Sequence, residues 1–140
     1  MSNSIIRAAI EGRLKPWAAA HAPALPVAFE NVSYTPTVGT AYLRGYLMPA
    51  NTKNPSIGGK HKAYHGMYQV SLYFPGGAGT GDVEAAAKEI EVLFELPTTM
   101  QRQGRNVRIT RTPAIAKGMP DDTGFFMVPV TIWYEMDDFS

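Results

Sequence analysis

The sequence predicts an α+β fold in which two helices pack on one face of a mostly antiparallel sheet of about five strands, in the order α-β-β-β-α-β-β. Apolar residues recur at helical spacing in two separate segments. In other segments they alternate with polar residues, as in half-buried strands. The chain has 140 residues, 45% of them hydrophobic, and shows no internal repeat. We therefore expect a single domain over residues 1–140.

The first predicted helix lies at the N-terminus. Its apolar stripe follows a helical spacing and consists of Ile6, Ile10, Leu14 and Trp17. Pro16 lacks a backbone N–H and clashes with the preceding turn, so we expect the helix to end near Leu14 or to kink there. Glu11 lies off the apolar stripe and is expected to face outward.

Three strands are expected to follow. A short extended piece within residues 27–34 follows two prolines, which favour an edge position. Residues 40–49 and 64–75 are richer in strand-forming side chains and are expected to pair as a long hairpin. The polar, basic loop between them, residues 50–62, is too long for a tight turn, so we predict that it is either functional or mobile.

The second predicted helix begins after a glycine-rich connector at residues 75–81. Its apolar stripe consists of Val83, Ala86, Ala87, Ile90, Leu93 and Phe94. Asp82 is expected to cap its N-terminus, and Pro97 is expected to stop it.

Two further strands complete the predicted sheet. One contains Val107 and Ile109, which alternate with polar residues, and the other covers residues 125–136. Pro129 interrupts the last strand and favours an edge position or a bulge there.

No catalytic or metal-binding signature is present in the sequence. There is no cysteine, which excludes thiolate nucleophiles and Cys-based metal sites. The glycine-rich connector lacks the Gly-Lys-Ser/Thr ending of a phosphate-binding loop. His61 and His65 have no carboxylate nearby in sequence, so they are predicted to be solvent-facing loop histidines. We expect that the chain is not an enzyme and needs no metal or cofactor.

Neither a secretion signal nor a membrane span is predicted. Charged side chains interrupt the apolar residues of the N-terminal segment, and no run of about 18 apolar residues occurs anywhere. No membrane association is therefore expected.

Charges are segregated along the chain, although the formal net charge is only +1. All charges within 31–81 and 98–118 are positive, and those within 119–140 are negative. Complementary patches on opposite sides of a subunit generate a head-to-tail interface, which closes into a ring when the rotation allows it. The predicted interface residues are Lys53, Lys60, Lys62, Arg102, Arg105, Arg108, Arg111, Asp137 and Asp138.

Four arginines within residues 102–111 allow three interpretations at this stage. They are suited to a partner interface, to a solvated strand face, or to the phosphates of a nucleic acid. No helix-turn-helix, RNA-recognition or zinc motif accompanies them, which argues against sequence-specific nucleic-acid binding.

Several local patterns occur in a characteristic order. After the N-terminal helix come Phe29-Glu30-Asn31, Thr35-Pro36, the TAYLRGYLMP segment 40–49, the strand 66–74 running into Pro75-Gly76, the VRITRTP segment 107–113 and the FFMVPVTIWYE segment 125–135. Over nearly the whole chain, this order resembles the tail terminator (tail completion) proteins of long-tailed bacteriophages, of the lambda minor tail protein U type.

The resemblance implies a structural phage or prophage protein that caps the tail tube as a homo-oligomeric ring, usually a hexamer. Such a ring ends tube polymerisation and provides the surface to which the filled head attaches. The implied partners are further copies of the chain, the tail tube protein and a head-completion or connector protein, and DNA passes through without its sequence being read. The implied locations are the virion tail and, during assembly, the host bacterial cytoplasm.

Two alternative functions stay open at this point. Other head–tail connector or neck proteins share this build. A small basic nucleic-acid-binding module using Arg102 to Arg111 belongs to a different class, and an enzyme ranks behind both.

Overall fold

The computed structural model describes residues 2–52, 58, 61–77, 79–121 and 123–138. Its elements are α1 (Ser2–Ala20), β1 (Val27–Ala28), β2 (Tyr42–Pro49), β3 (Lys62–Pro75), α2 (Gly81–Leu93), β4 (Thr99–Arg102), β5 (Arg105–Ile109), β6 (Ala114–Ile115), β7 (Met119–Pro120) and β8 (Phe125–Asp138). The predicted α+β class is confirmed. The predicted number of strands is wrong, because the described residues form an eight-stranded sheet.

The sheet is built around β3 and β8, which are 14 residues long and pair antiparallel over their full length. The strand order is β1-β2-β3-β8-β5-β4, and β6 and β7 also pair with β8. β2 and β3 form the predicted antiparallel hairpin. β1 lies at the edge as expected and makes the parallel pair with β2. Within the predicted loop 50–62, residues 53–57, 59 and 60 lie outside the described residues.

Both helices pack on the same face of the sheet, as predicted. Their apolar stripes and the inward side chains of β2, β3, β5 and β8 form one buried cluster. The largest fully buried side chains in it include Tyr68, Tyr134, Phe94, Ile6, Ile10, Leu14, Leu43, Leu72, Ile90, Ile132 and Met136. Two further contacts join the helices directly: Trp17 Nε1 donates to Glu89 Oε1 at 3.1 Å, and Arg13 Nε donates to the Leu93 carbonyl at 2.8 Å.

Helix α1 continues through Pro16 to Ala20. Of the two predicted alternatives, an end near Leu14 is therefore wrong, and a continuation past Pro16 is what the structure has. Pro16 is exposed, and its ring therefore faces solvent. Leu14 and Ala18, on either side of it, are buried in the core. Burial on both sides of the proline outweighs the one helical hydrogen bond that it removes.

Helix α2 is capped differently from the prediction. Its N-cap residue is Thr80, which makes no side-chain capping bond, and Asp82 lies inside the first turn. There the carboxylate still interacts favourably with the helix dipole.

Of the two alternatives predicted from Pro129, an edge strand or a bulge, the edge strand is wrong, because β8 pairs on both sides. Pro129 lies opposite Ser71 of β3. On its other side the pairing is interrupted between β6 and β7, and the Pro129 carbonyl accepts a bond from the Ala116 N–H at 3.0 Å. The strand on this side is thus divided into β6 and β7 near Pro129, because proline has no backbone N–H to donate to a continuous ladder.

The sequence did not predict β4, β6 or β7, which have four, two and two residues. Such short strands carry too few positions for an alternating pattern. The β4–β5 hairpin turns at Gln103 and Gly104, both with positive φ (49° and 75°), as a two-residue hairpin loop requires. Neither described helix is long and apolar enough to cross a membrane.

Candidate functional site

The sheet face opposite the helices, here called the open face, carries large side chains without a helical layer over them. Strand alternation places on it Tyr42, Arg44, Tyr46 and Met48 of β2, Met67, Gln69, Ser71 and Tyr73 of β3, and Met127, Thr131, Trp133, Glu135 and Asp137 of β8. Most of these side chains are half-buried. Aromatic and methionine side chains of this kind are enriched at protein–protein interfaces.

One end of the open face is an ordered aromatic cluster. The rings of Tyr42 and Tyr73 stack at 4.8 Å with an interplanar angle of 6°, and Phe125 meets Tyr42 edge-on at 5.2 Å. Tyr34 packs against Tyr42 at 5.2 Å from the loop before β2. The Arg44 guanidinium lies 5.4 Å from the Tyr42 ring and 5.9 Å from the Tyr73 ring. This end presents a cation held on aromatic rings.

The middle of the open face combines sulfur, indole and a second arginine. Met48, Met67 and Trp133 lie side by side on adjacent strands. The Arg111 guanidinium lies 4.3 Å from the centre of the Trp133 ring. A groove of about 480 Å³ beside Trp133 is lined in part by Met67 and His65. This region offers apolar surface beside an exposed positive charge.

The other end of the open face is a compact group of ion pairs. Arg108 Nη2 lies 2.7 Å from Glu135 Oε1 and 2.9 Å from Asp137 Oδ2, and His61 Nε2 lies 2.9 Å from Asp137 Oδ1. Hydrogen bonds from His61 and Arg108 lower the pKa of Asp137. The bond to Asp137 raises the pKa of Arg108.

These contacts correct two predictions. The basic and acidic segments were expected on opposite sides of the subunit, but β5 pairs antiparallel with β8 and brings Arg108 opposite Glu135. Arg105 Nη2 likewise lies 3.3 Å from Asp138 Oδ1. His61 was expected to be a solvent-facing loop residue and instead takes part in the ion-pair group.

The remaining predicted interface residues are distributed as follows. Lys53 and Lys60 lie outside the described residues, and Lys62 begins β3 opposite Asp138. Arg102 is exposed on β4, and its guanidinium lies against Gly12 of α1. The structure therefore gathers Lys62, Arg105, Arg108, Asp137 and Asp138 at one end of the sheet and holds Arg111 on Trp133. Whether these nine residues form an interface stays a prediction.

The internal ion pairs bear on the nucleic-acid interpretation. Of the four arginines in residues 102–111, Arg105 and Arg108 pair with carboxylates of β8. That interpretation depended on a basic face without nearby acids, so its main argument is lost.

On the helix-covered face, two buried tyrosines have different environments. Tyr68 Oη donates to Glu11 Oε2 at 2.6 Å, so the prediction that Glu11 faces outward is wrong. Burial and this bond raise the pKa of Tyr68. Tyr134 Oη is buried and has no hydrogen-bond partner among the described residues, and burial raises its pKa to about 12.

Within the described ranges, no group of three or more His, Asp or Glu side chains is placed to hold a metal ion. Arg108, Glu135 and Asp137, and likewise Tyr68 and Glu11, are engaged in ion pairs and hydrogen bonds between elements of the fold. Among the described residues, the open face is the side of the sheet that neither helix covers.

Comparisons with known proteins point in the same direction. A family model described as phage tail terminator protein matches residues 5–134. A solved structure, of a protein whose name states no function, is 38% identical, with a TM-score of 0.82, and the alignment covers 97% of this chain and 96% of that chain. None of the curated proteins matches the chain.

Proposed function

This chain belongs to the phage tail terminator family, and we propose that it caps the tail tube as a homo-oligomeric ring, ends tube polymerisation and provides the head-joining surface. Family membership makes it a structural component of the virion tail. The observation that carries the proposal is the match over residues 5–134, which includes all of β3 and most of β8. The lambda U subtype and the hexameric ring number stay predictions.

The open face supports an assembly role on physical grounds. A sheet normally buries both faces, or leaves a polar face in water. Here the uncovered face carries Met48, Met67 and Trp133 in one row. An aromatic and methionine row of this kind favours a protein partner over solvent.

The proposed partners are further copies of the chain, the tail tube protein and a head-completion or connector protein. DNA passes through the ring and is not read, because a lumen that transmits a genome has to accept every sequence. Assembly takes place in the host bacterial cytoplasm. The protein acts by binding its partners in a defined arrangement, and we assign no reaction to the chain.

Light scattering over a range of protein concentrations tests the ring. We expect a species of about six subunits to grow with concentration, since a head-to-tail contact that closes gives one defined size. A mass that stays at the 15.3 kDa of one subunit at every concentration would contradict self-assembly of the free protein. Duplex DNA should bind only weakly and without sequence preference.

A further inference from the structure

We propose that the ring is built head to tail, with the outer side of α2 from one copy docked on the open face of the next copy. This inference rests on the proposed function, because it requires that the chain assembles with itself. It replaces the charge-segment interface predicted from the sequence, whose members pair in part within one subunit.

The outer side of α2 is strongly acidic. We define it as the residues of α2 and its C-terminal extension that lie away from the core: Asp82, Glu84, Lys88, Glu89, Glu91, Val92, Glu95 and Leu96. Its one cation, Lys88, lies 2.8 Å from Glu91. No other ion pair of these carboxylates occurs among the described residues. Apart from Glu91, the carboxylates of this surface therefore have no cationic partner there.

Two exposed apolar side chains accompany these carboxylates. Val92 and Leu96 are 51% and 48% exposed; Val92 lies in the last turn of α2, and Leu96 lies in the segment that follows the helix. Beside Val92 a shallow surface groove includes Trp17 and Leu93. An apolar pair surrounded by charged residues has the composition of an interface core with a polar rim.

The open face carries two arginines that can complement this acidic surface. Arg44, at its aromatic end, and Arg111, in its middle, lie on aromatic rings, and neither has a carboxylate partner within the described part of the chain. The third arginine, Arg108, faces two carboxylates, Glu135 and Asp137, at the other end. The middle of this face therefore presents the positive charge of Arg111.

One nearby carboxylate adds a negative charge but forms no ion pair with Arg44 or Arg111 among the described residues. Asp121, at the end of β7, accepts bonds from the backbone N–H groups of Thr123 and Phe125 at 2.9 and 3.0 Å. It is thus held within its own turn, and these two bonds help to lower its pKa.

The two surfaces lie on opposite sides of the same sheet. The helices cover one face, and Arg44, Trp133 and Arg111 lie on the other. One subunit cannot bring them together, so the contact requires a second copy. Two different surfaces in contact give a heterologous interface, which closes into a ring when the rotation between copies allows it. Complementary charge and apolar surface on both sides make a second copy the occupant that fits.

Charge reversal of each surface tests this interface. Arg111→Glu and Glu95→Arg should each weaken self-association by about tenfold or more, because an attraction becomes a like-charge contact. A one-to-one mixture of the two variants should regain assembly, since the reversed open face of one variant then meets the reversed α2 of the other. Lys15→Glu, an exposed reversal on α1 where the lysine lies beside the Phe29 ring, is the matched control and should assemble like the parent.

The results separate this interface from the ring itself. If the parent assembles and both reversals assemble equally well, the interface lies elsewhere while the proposed ring stands. If both reversals fail but their mixture does not recover, head-to-tail pairing of these surfaces is wrong. Thermal unfolding of each variant establishes that a loss of assembly is not a loss of folding.

Cross-linking tests whether α2 of one copy contacts the open face of another copy, even where assembly is weak. The chain has no cysteine, so Val92→Cys on α2 and Thr131→Cys on the open face provide unique thiols. With a short bismaleimide we expect links between the two variants in a mixture and none within either variant alone. Links only between like variants, or none at high concentration, would overturn the proposal. Absence of any oligomer in the parent would count against the ring.

Discussion

Two buried tyrosines on one face of the sheet are expected to respond oppositely to loss of the hydroxyl group. Tyr68 and Tyr134 are 0% and 1% exposed, and both face the helices. Tyr68 Oη donates to the carboxylate of Glu11 at 2.6 Å. Tyr134 Oη has no partner among the described residues. Replacement by phenylalanine removes the same atom from both sites and preserves the ring.

The expected magnitudes follow from these environments. A hydrogen bond to a charged group contributes about 1.5 to 3 kcal/mol, so Tyr68→Phe should lower the free energy of unfolding by about 2 kcal/mol. A buried hydroxyl without a partner costs about 1 to 3 kcal/mol, so Tyr134→Phe should raise the free energy of unfolding by about 1 kcal/mol. The two variants should therefore differ by about 3 kcal/mol.

Urea unfolding followed by circular dichroism measures the difference. With a slope of about 2 kcal/mol per molar urea, the midpoint should fall by about 1 M for Tyr68→Phe and rise by about 0.5 M for Tyr134→Phe. If the slope of the unfolding free energy against urea concentration is the same for the parent and both variants, the shift in midpoint reports a change in stability. A Tyr134→Phe variant destabilised as much as Tyr68→Phe would refute the reasoning, because Tyr134 would then make a hydrogen bond that the structure does not contain.

Two further predictions concern packing and pH. Gly66→Ala places a Cβ 2.6 Å from a carbonyl oxygen of β2 and should lower the free energy of unfolding by about 3 kcal/mol. Gly81→Ala, at an open position that begins α2, is the control and should be neutral or slightly stabilising. Equal urea midpoints for the two variants would contradict this prediction. Asp137→Asn should cost about 1 kcal/mol at neutral pH. The pKa of Asp137 is lowered from 3.8 by His61 and Arg108, so its contribution is present above about pH 4 and is lost as the pH falls through the folded pKa. The urea midpoints of parent and variant should therefore converge in acid, and a constant difference down to pH 2 would count against the ion-pair group.

The fold class and most of the core could be predicted where apolar residues repeat periodically over a long segment. The stripes of both helices and the alternation of β2, β3 and β8 identified the fold class and most of the core. These patterns repeat over enough positions to reveal which side chains are buried. The sequence left the end of α1 open between Leu14 and a continuation past Pro16, because burial of Leu14 and Ala18, which outweighs the local cost of Pro16, is a tertiary effect.

The candidate site was less accessible from sequence. The pairing of Arg108 with Glu135 depends on the register between β5 and β8, which local patterns do not contain. Opposite charges in separate segments therefore predicted an interface between subunits, although part of them pair within one. The acidic outer side of α2 was visible in the sequence, but its proposed role depends on Arg111 and Arg44, which the fold places on the opposite face of the sheet.

The most direct test of the terminator role is the length of tail tubes made without this protein. In a phage that lacks its gene, electron microscopy should show tubes of irregular, extended length that carry no heads, and supplying the protein should restore a uniform length. Tubes of normal length with heads attached, in the complete absence of the protein, would contradict the proposed function.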